Sequence, residues 1–143
     1  MNDLYDLNRF VAAQDTDGIY DLAQEGLRRG RKTGHWMWFV FPQIAGLGHS
    51  PMSQKFSLSS LEEAKAYLQH PVLGPRLIEC TEVVAESSGR TAELIFGAVD
   101  AQKLQSSMTL FTRASPDEPH FREVLQLYFD GQPDPATDRL LIA

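Results

Sequence analysis

The sequence contains a single cysteine, Cys80, and lacks any long apolar run. One cysteine cannot form an intramolecular disulfide, so a reducing compartment is permitted. The first ten residues show neither a basic stretch followed by an apolar stretch nor a run long enough to span a membrane. These absences predict a soluble, cytoplasmic protein that is not attached to a membrane.

Signature motifs of several common enzyme classes are also missing. The chain has no G-x-x-x-x-G-K-[ST], no G-x-G-x-x-G and no G-x-S-x-G, so Walker-type nucleotide hydrolysis, a Rossmann cofactor site and an α/β-hydrolase triad lack their sequence signal. The four histidines stand far apart, without H-x-x-x-H or C-x-x-C spacing, which argues against a metal site. We therefore expect neither a metal nor a cofactor.

Basic residues are the minority among the charges. The chain has 13 Lys and Arg against 19 Asp and Glu, a net charge of −6, and the acidic excess lies after Val72. Nucleic-acid binders gain affinity when Lys and Arg displace counterions from phosphates. The charge balance therefore argues against double-stranded nucleic acid as a partner, although the basic run at 28–32 suits a small anion.

The composition, 43% hydrophobic and 22% charged over 143 residues, is typical of one globular domain. Apolar residues recur mostly at helical spacing. We predict an all-α fold, a compact single domain over residues 1–143 with about seven short helices and at most a minor β element near Trp36–Phe41. The predicted N-caps are Asn2 or Asp3, Thr16 or Asp17, Ser60 with Glu63 as a capping box, Thr91, Asp100 and Asp117.

The helical spacing also predicts which apolar side chains face the core. These are Leu4, Leu7 and Val11; Ile19, Leu22, Ala23 and Leu27, with Gly30 as the stop; Leu61, Ala64 and Leu68; Leu73, Leu77, Cys80 and Val84; Ala101, Leu104, Met108 and Phe111; and Phe121, Val124, Leu125 and Tyr128, with Gly131 beyond the end.

Residues 35–41 are apolar after the histidine, so periodicity cannot separate a buried strand from a buried helical turn. Pro42 disfavours helical geometry at Phe41, which favours an extended or irregular segment.

Candidate ligand-binding residues fall in two blocks. In the first, Lys103, Ser106 and Ser107 share one helix face and are followed by Thr109. One positive charge with several hydroxyls suits a phosphate or carboxylate. The alternative is that the serines are small residues that allow close helix packing and back-bond within the helix.

The second block runs from Lys32 to Gln43. An indole of Trp36 or Trp38 offers a stacking face, Gln43 can read the edge of a base, and Lys32 can hold an anion. If there is catalysis, His35 is the acid–base candidate. The alternative is that both tryptophans are core residues.

Four stretches together resemble a known family over nearly the whole chain: HWMWFVFPQIAGLGHSPMSQKF, HPVLGPRL, KLQSSMTLF and FREVLQLYFDGQPD. They are similar to the bacterial domain-of-unknown-function family 1810, whose members are often labelled calpastatin in genomes. The resemblance implies a small, mainly helical, cytoplasmic protein with no established activity. The positions that match its characteristic blocks are His35, Trp36, Trp38, Pro42, Gln43, Lys103, Ser106, Ser107 and Thr109.

The calpastatin label conflicts with the composition, because such an inhibitor is a polar, disordered chain that folds onto its protease. In size and helical layout alone, the chain also resembles domains that bind or cleave ADP-ribose and related N-glycosides.

Two functions from different classes follow. The first is binding of a small anionic or nucleotide-like, ADP-ribose-type ligand where the two blocks meet, with catalysis left open. The second is a non-catalytic protein-interaction module, in which the acidic face of the second half meets a basic partner that the sequence does not identify.

Overall fold

The computed structural model describes residues 3–87 and 89–142, and their fold is all-α, as predicted. The described residues form no sheet; a single parallel β-bridge joins Ile44 to Leu58. The ten α-helices in this part of the chain are α1 (Asn8–Asp15), α2 (Ile19–Arg28), α3 (Met37–Val40), α4 (Pro51–Lys55), α5 (Leu61–Gln69), α6 (Leu73–Glu86), α7 (Ala92–Phe96), α8 (Ala98–Ala114), α9 (Pro119–Phe129) and α10 (Pro135–Ile142), with a 3₁₀ turn at Thr16–Gly18.

Helix α8 lies at the centre of the molecule. It packs against α5, α7, α9 and α10, and residues 106–112 are all buried. Seven consecutive buried residues cover nearly two helical turns, so this part of α8 is enclosed on every side rather than along one stripe. The apolar positions predicted for it, Ala101, Leu104, Met108 and Phe111, are all in the core. No helix of the described ranges is both long and apolar enough to cross a membrane.

The segment Trp36–Phe41 forms a helical turn, so the extended conformation predicted for it is wrong. The Val40 N–H donates to the Trp36 carbonyl at 3.2 Å, and the Phe41 N–H donates to the Met37 carbonyl at 3.0 Å. Pro42 restricts only Phe41, which has φ −124° and ψ 74° and ends the helix. The proline therefore terminates this short helix, and the small β element lies just after it, at Ile44.

Two predicted caps are confirmed. The Ser60 hydroxyl accepts the Glu63 N–H at 3.1 Å, and the Thr91 hydroxyl accepts the Leu94 N–H at 3.1 Å. Gly30, with φ +73°, follows the end of α2 as predicted.

The other caps differ from the prediction. Helix α8 begins at Ala98 after Gly97, so Asp100 lies in its first turn. Similarly, Glu118 rather than Asp117 precedes α9, and Gly18 rather than Thr16 or Asp17 precedes α2. In each case the predicted residue misses the true boundary by one to three positions.

Two leucines that were predicted to face the core are exposed instead. Leu4 is 80% exposed because α1 begins only at Asn8, where the Asp3 carboxylate accepts the N–H groups of Leu7 and Asn8 at 2.6 and 2.8 Å. Leu22 is 57% exposed. The buried face of α2 includes the polar residues Tyr20 and Gln24, whose side chains both hydrogen-bond the Glu79 carboxylate. Asn2, the other proposed cap, lies outside the described residues.

Candidate functional site

The two sequence blocks meet at a crevice of about 310 Å³, between the segment 43–53 and helix α8. We call it the α8 crevice; its lining residues are Gln43, Leu47, Gly48, Ser53, Val99, Gln102, Lys103, Ser106, Asp134 and Ala136. Of the nine residues predicted for a site, the crevice brings together Gln43, Lys103 and Ser106.

The backbone holds Gln43 in place at the edge of the crevice. Its carbonyl accepts the Leu58 N–H at 2.9 Å, and the Ala45 N–H donates to the Leu58 carbonyl at 2.8 Å, on either side of the β-bridge. Gly46 then turns with φ +104°, and a Cβ there would lie 3.1 Å from the Leu140 side chain. The loop therefore lies directly against α10, which closes one end of the crevice.

Two lysines share one carboxylate beside the crevice. Asp100 lies 2.8 Å from Lys32 Nζ and 3.5 Å from Lys103 Nζ. Each ammonium also lies over an indole, Lys32 at 4.9 Å from the Trp36 ring centroid and Lys103 at 4.5 Å from that of Trp38. This group of five side chains carries two positive charges and one negative, which leaves a surplus of one positive charge.

The two tryptophans have different environments. Trp36 is 2% exposed and its Nε1 donates to the Thr33 carbonyl at 2.8 Å, so it is a satisfied core residue. Trp38 is half-buried, and its Nε1 is enclosed without an acceptor among the described residues. Trp38 lines a recess of about 10 Å³ that shares Gln43, Leu47, Gly48 and Ser53 with the α8 crevice.

Asp134 is a lining residue that the sequence analysis missed. Its Oδ2 lies 2.8 Å from Ser106 Oγ, and it accepts the Thr137 hydroxyl at 2.6 Å and the Thr137 N–H at 3.2 Å. These contacts cap α10 and tie it to α8. A sequence signal was present, because an aspartate directly before Pro135 is typical of an N-cap followed by proline in the first helical position.

The remaining predicted residues do not line the crevice. His35 is exposed, and Lys32 is enclosed by its ion pair. Ser107 is fully buried, and its hydroxyl has no partner in the described part of the chain. Thr109 is also fully buried and accepts the Asp134 N–H at 2.8 Å, so it contacts the crevice only through Asp134.

Comparison with known proteins supports the all-α fold and identifies the family. No curated protein matches the chain. One solved structure, the crystal structure of the conserved hypothetical protein Rv1873 from Mycobacterium tuberculosis, shares 53% sequence identity with a TM-score of 0.93, over 97% of this chain and 98% of that chain. A family model described as "Protein of unknown function (DUF1810)" matches residues 4–141, which is nearly the whole chain. The chain therefore belongs to the DUF1810 family of proteins of unknown function.

Proposed function

We propose that the α8 crevice binds a small anionic ligand of the nucleotide-like, ADP-ribose type. The observation that carries the proposal is the convergence of Gln43, Lys103 and Ser106 on one cavity, where the Lys103 ammonium is a cation with unused N–H donors. A volume of about 310 Å³ is near the lower end of the range typical of small-molecule sites.

Lys103 is the cation that would hold the anionic group. Its side chain is 20% exposed, and its Nζ lies 3.5 Å from Asp100 Oδ1, whereas Lys32 Nζ lies 2.8 Å from Oδ2 of the same carboxylate. An ammonium has three N–H donors. Lys103 therefore has donors left over for a phosphate or carboxylate, with which charge-assisted hydrogen bonds are short and strong.

The Trp38 N–H is enclosed and is not part of the proposed binding surface. A buried donor without an acceptor destabilises a protein by about 1–3 kcal/mol, and the Trp38 N–H is such a donor within the described residues. The adjoining recess of about 10 Å³ has room for about one water-sized group. A water molecule in this recess would complete the hydrogen bond, so we do not count the Trp38 N–H among the ligand-binding groups.

Stacking is a smaller part of the proposal than the sequence suggests. Trp36 is 2% exposed, and the Trp38 ring is already covered by Lys103. His35 lies off the crevice lining. The proposal is therefore one of binding through Lys103, Gln43 and Ser106, and it includes no catalytic step.

The experiment is a ligand screen by thermal shift and calorimetry, with inorganic phosphate, ribose 5-phosphate, AMP, ADP and ADP-ribose. Ligand at ten times Kd raises the melting temperature by about 3–5 °C for a chain of this size. We expect Lys103→Met to weaken binding by about tenfold or more, because it removes a charge-assisted hydrogen bond.

Lys65→Met is the matched control. Lys65 lines a different crevice of the same volume, about 310 Å³, so its loss changes the net charge equally and leaves the α8 crevice intact. Equal effects of the two substitutions, or no ligand response at millimolar concentration, would contradict the proposal. The latter outcome would favour the alternative of a protein-interaction module.

A further inference from the structure

We propose that Asp134 is the hydroxyl-recognising residue of the α8 crevice, and that the ligand carries a vicinal diol, as a sugar does, in addition to its anionic group. This inference rests on the proposed function and names the class of ligand for the same site.

The Asp134 carboxylate is held by one of its two oxygens. The residue is only 7% exposed. Ser106 Oγ, Thr137 Oγ1 and Thr137 N all lie within 3.2 Å of Oδ2. Three contacts from two helices hold the side chain in one orientation, so the position of the second oxygen is also determined.

We assign the second oxygen, Oδ1, to the crevice surface. Among the described residues, no hydrogen bond or ion pair reaches it. It is also absent from the fully enclosed side-chain atoms without a partner, which in the described ranges are Trp38 Nε1 and Ser107 Oγ. Oδ1 is therefore accessible, and the accessible space that Asp134 lines is the α8 crevice.

An ionised carboxylate oxygen accepts hydrogen bonds and cannot donate them. It repels a phosphate but binds a hydroxyl, and two adjacent hydroxyls can share it. Lys103 has the opposite preference. The crevice therefore has one end that suits an anion and one end that suits a neutral group with O–H donors.

The separation of the two ends fits one small molecule. Lys103 and Ser106 are at i and i+3 on α8, where Cβ atoms are about 5–6 Å apart, and Ser106 Oγ lies 2.8 Å from Asp134. A phosphorylated sugar spans such a distance, with its phosphate at Lys103 and its hydroxyls at Asp134. Gln43 lines the same crevice and offers an amide to either part.

The test uses Asp134→Asn, which should preserve the fold. Asparagine is as good an N-cap as aspartate. Its carbonyl oxygen can replace Oδ2 and keep the contacts with Ser106 and Thr137, which leaves the NH₂ group in the place of Oδ1. The substitution therefore converts an acceptor into a donor at the crevice surface.

The probes are AMP and 2′,3′-dideoxy-AMP, which differ only in the vicinal hydroxyls, measured by calorimetry. We expect the unmodified protein to prefer AMP by about tenfold or more, as one charge-assisted hydrogen bond implies. Asp134→Asn should lower the ratio several-fold without weakening dideoxy-AMP, because a neutral amide–hydroxyl bond lacks the charge assistance of the carboxylate. Asp138→Asn is the control, since it makes the same charge change on α10 at a residue paired with Arg113 instead of the crevice.

Each outcome separates the two proposals. If the unmodified protein binds both nucleotides equally, the diol inference fails and the anion site stands; this measurement needs no variant to fold. If Asp134→Asn keeps the preference for AMP, Asp134 is not the recognising group. If neither nucleotide binds but inorganic phosphate does, the diol inference fails and the anion site stands; if no ligand of the screen binds, both proposals fail.

Discussion

Lys32 and Lys103 contact the same carboxylate, yet they have different roles. The Lys32 side chain is 7% exposed and pairs with Asp100 at 2.8 Å. It therefore connects the segment before α3 to the first turn of α8. Lys103 keeps the longer contact and lines the crevice. The two ammonium groups contact different oxygens of Asp100, Lys32 at Oδ2 and Lys103 at Oδ1, and only Lys103 also lines the crevice.

Cys80 lies in the core, as its position on the apolar stripe of α6 predicted. Burial raises the pKa of its thiol from 9.0 to about 11. Because the thiolate is the reactive form of cysteine, burial and a raised pKa make this thiol unreactive near neutral pH.

The raised pKa of Cys80 gives a prediction on stability. Between about pH 9 and 11 the Cys80 thiol stays protonated in the folded state but is deprotonated in the unfolded state. Its contribution to the free energy of unfolding is therefore fully present below about pH 9 and is lost as the pH rises towards 11. We expect the free energy of unfolding to fall by about 2 kcal/mol more in the unmodified protein than in Cys80→Ala across this window. Urea titrations at pH 8, 9, 10 and 11 measure it. Parallel pH profiles of the two proteins would contradict it.

At the scale of elements, the junction of α5 and α6 shows how a helix start depends on its neighbour. Helix α6 begins at Leu73, two residues before Pro75. His70 Nδ1 accepts the N–H groups of Val72 and Leu73 at 3.1 and 3.2 Å. A Cβ on Gly74 would lie 2.1 Å from the Leu68 carbonyl oxygen, so only glycine allows the end of α5 to lie this close.

Gly74→Ala is therefore expected to destabilise the protein by about 3 kcal/mol, because a backbone atom of α5 must move to admit the methyl group. The free energy of unfolding in urea measures the effect. Gly89→Ala is the control: a Cβ there meets nothing within 4 Å, and we expect a change below about 1 kcal/mol. A Gly74→Ala variant as stable as the control would show that the two helices separate without cost.

At the scale of the whole molecule, the helices are joined through shared neighbours. Helix α6 packs against α2, α5 and α9, while α8 packs against α5, α7, α9 and α10. Helices α5 and α9 therefore each contact both α6 and α8. That residues 1–143 form one domain stays a prediction.

A single domain of this size should unfold in one cooperative transition. We expect tryptophan fluorescence, which reports on Trp36 and Trp38 beside α8, and far-ultraviolet circular dichroism, which reports on all helices, to give the same urea midpoint. In Gly74→Ala both midpoints should shift together, although the substitution lies far from the tryptophans in sequence. A separate early fluorescence transition would contradict a single domain.

Most of the core helices follow from the sequence by itself. The stripe of Leu73, Leu77, Cys80 and Val84 is buried as predicted, because helical periodicity and caps such as Ser60 depend only on residues a few positions apart. Local rules were weaker for Trp36–Phe41, where every residue is apolar and periodicity carries no information.

Which residues come together in the candidate site depends on the tertiary structure. Ser106 and Asp134 are in contact although they are 28 residues apart. Lys32 pairs with Asp100, which lies far from it in sequence, on α8. Sequence patterns identified Lys103, Ser106 and Gln43 as useful residue types, but not which of their neighbours would share a cavity. Such contacts depend on how whole helices are placed against one another, and the packing of many side chains at once determines that placement.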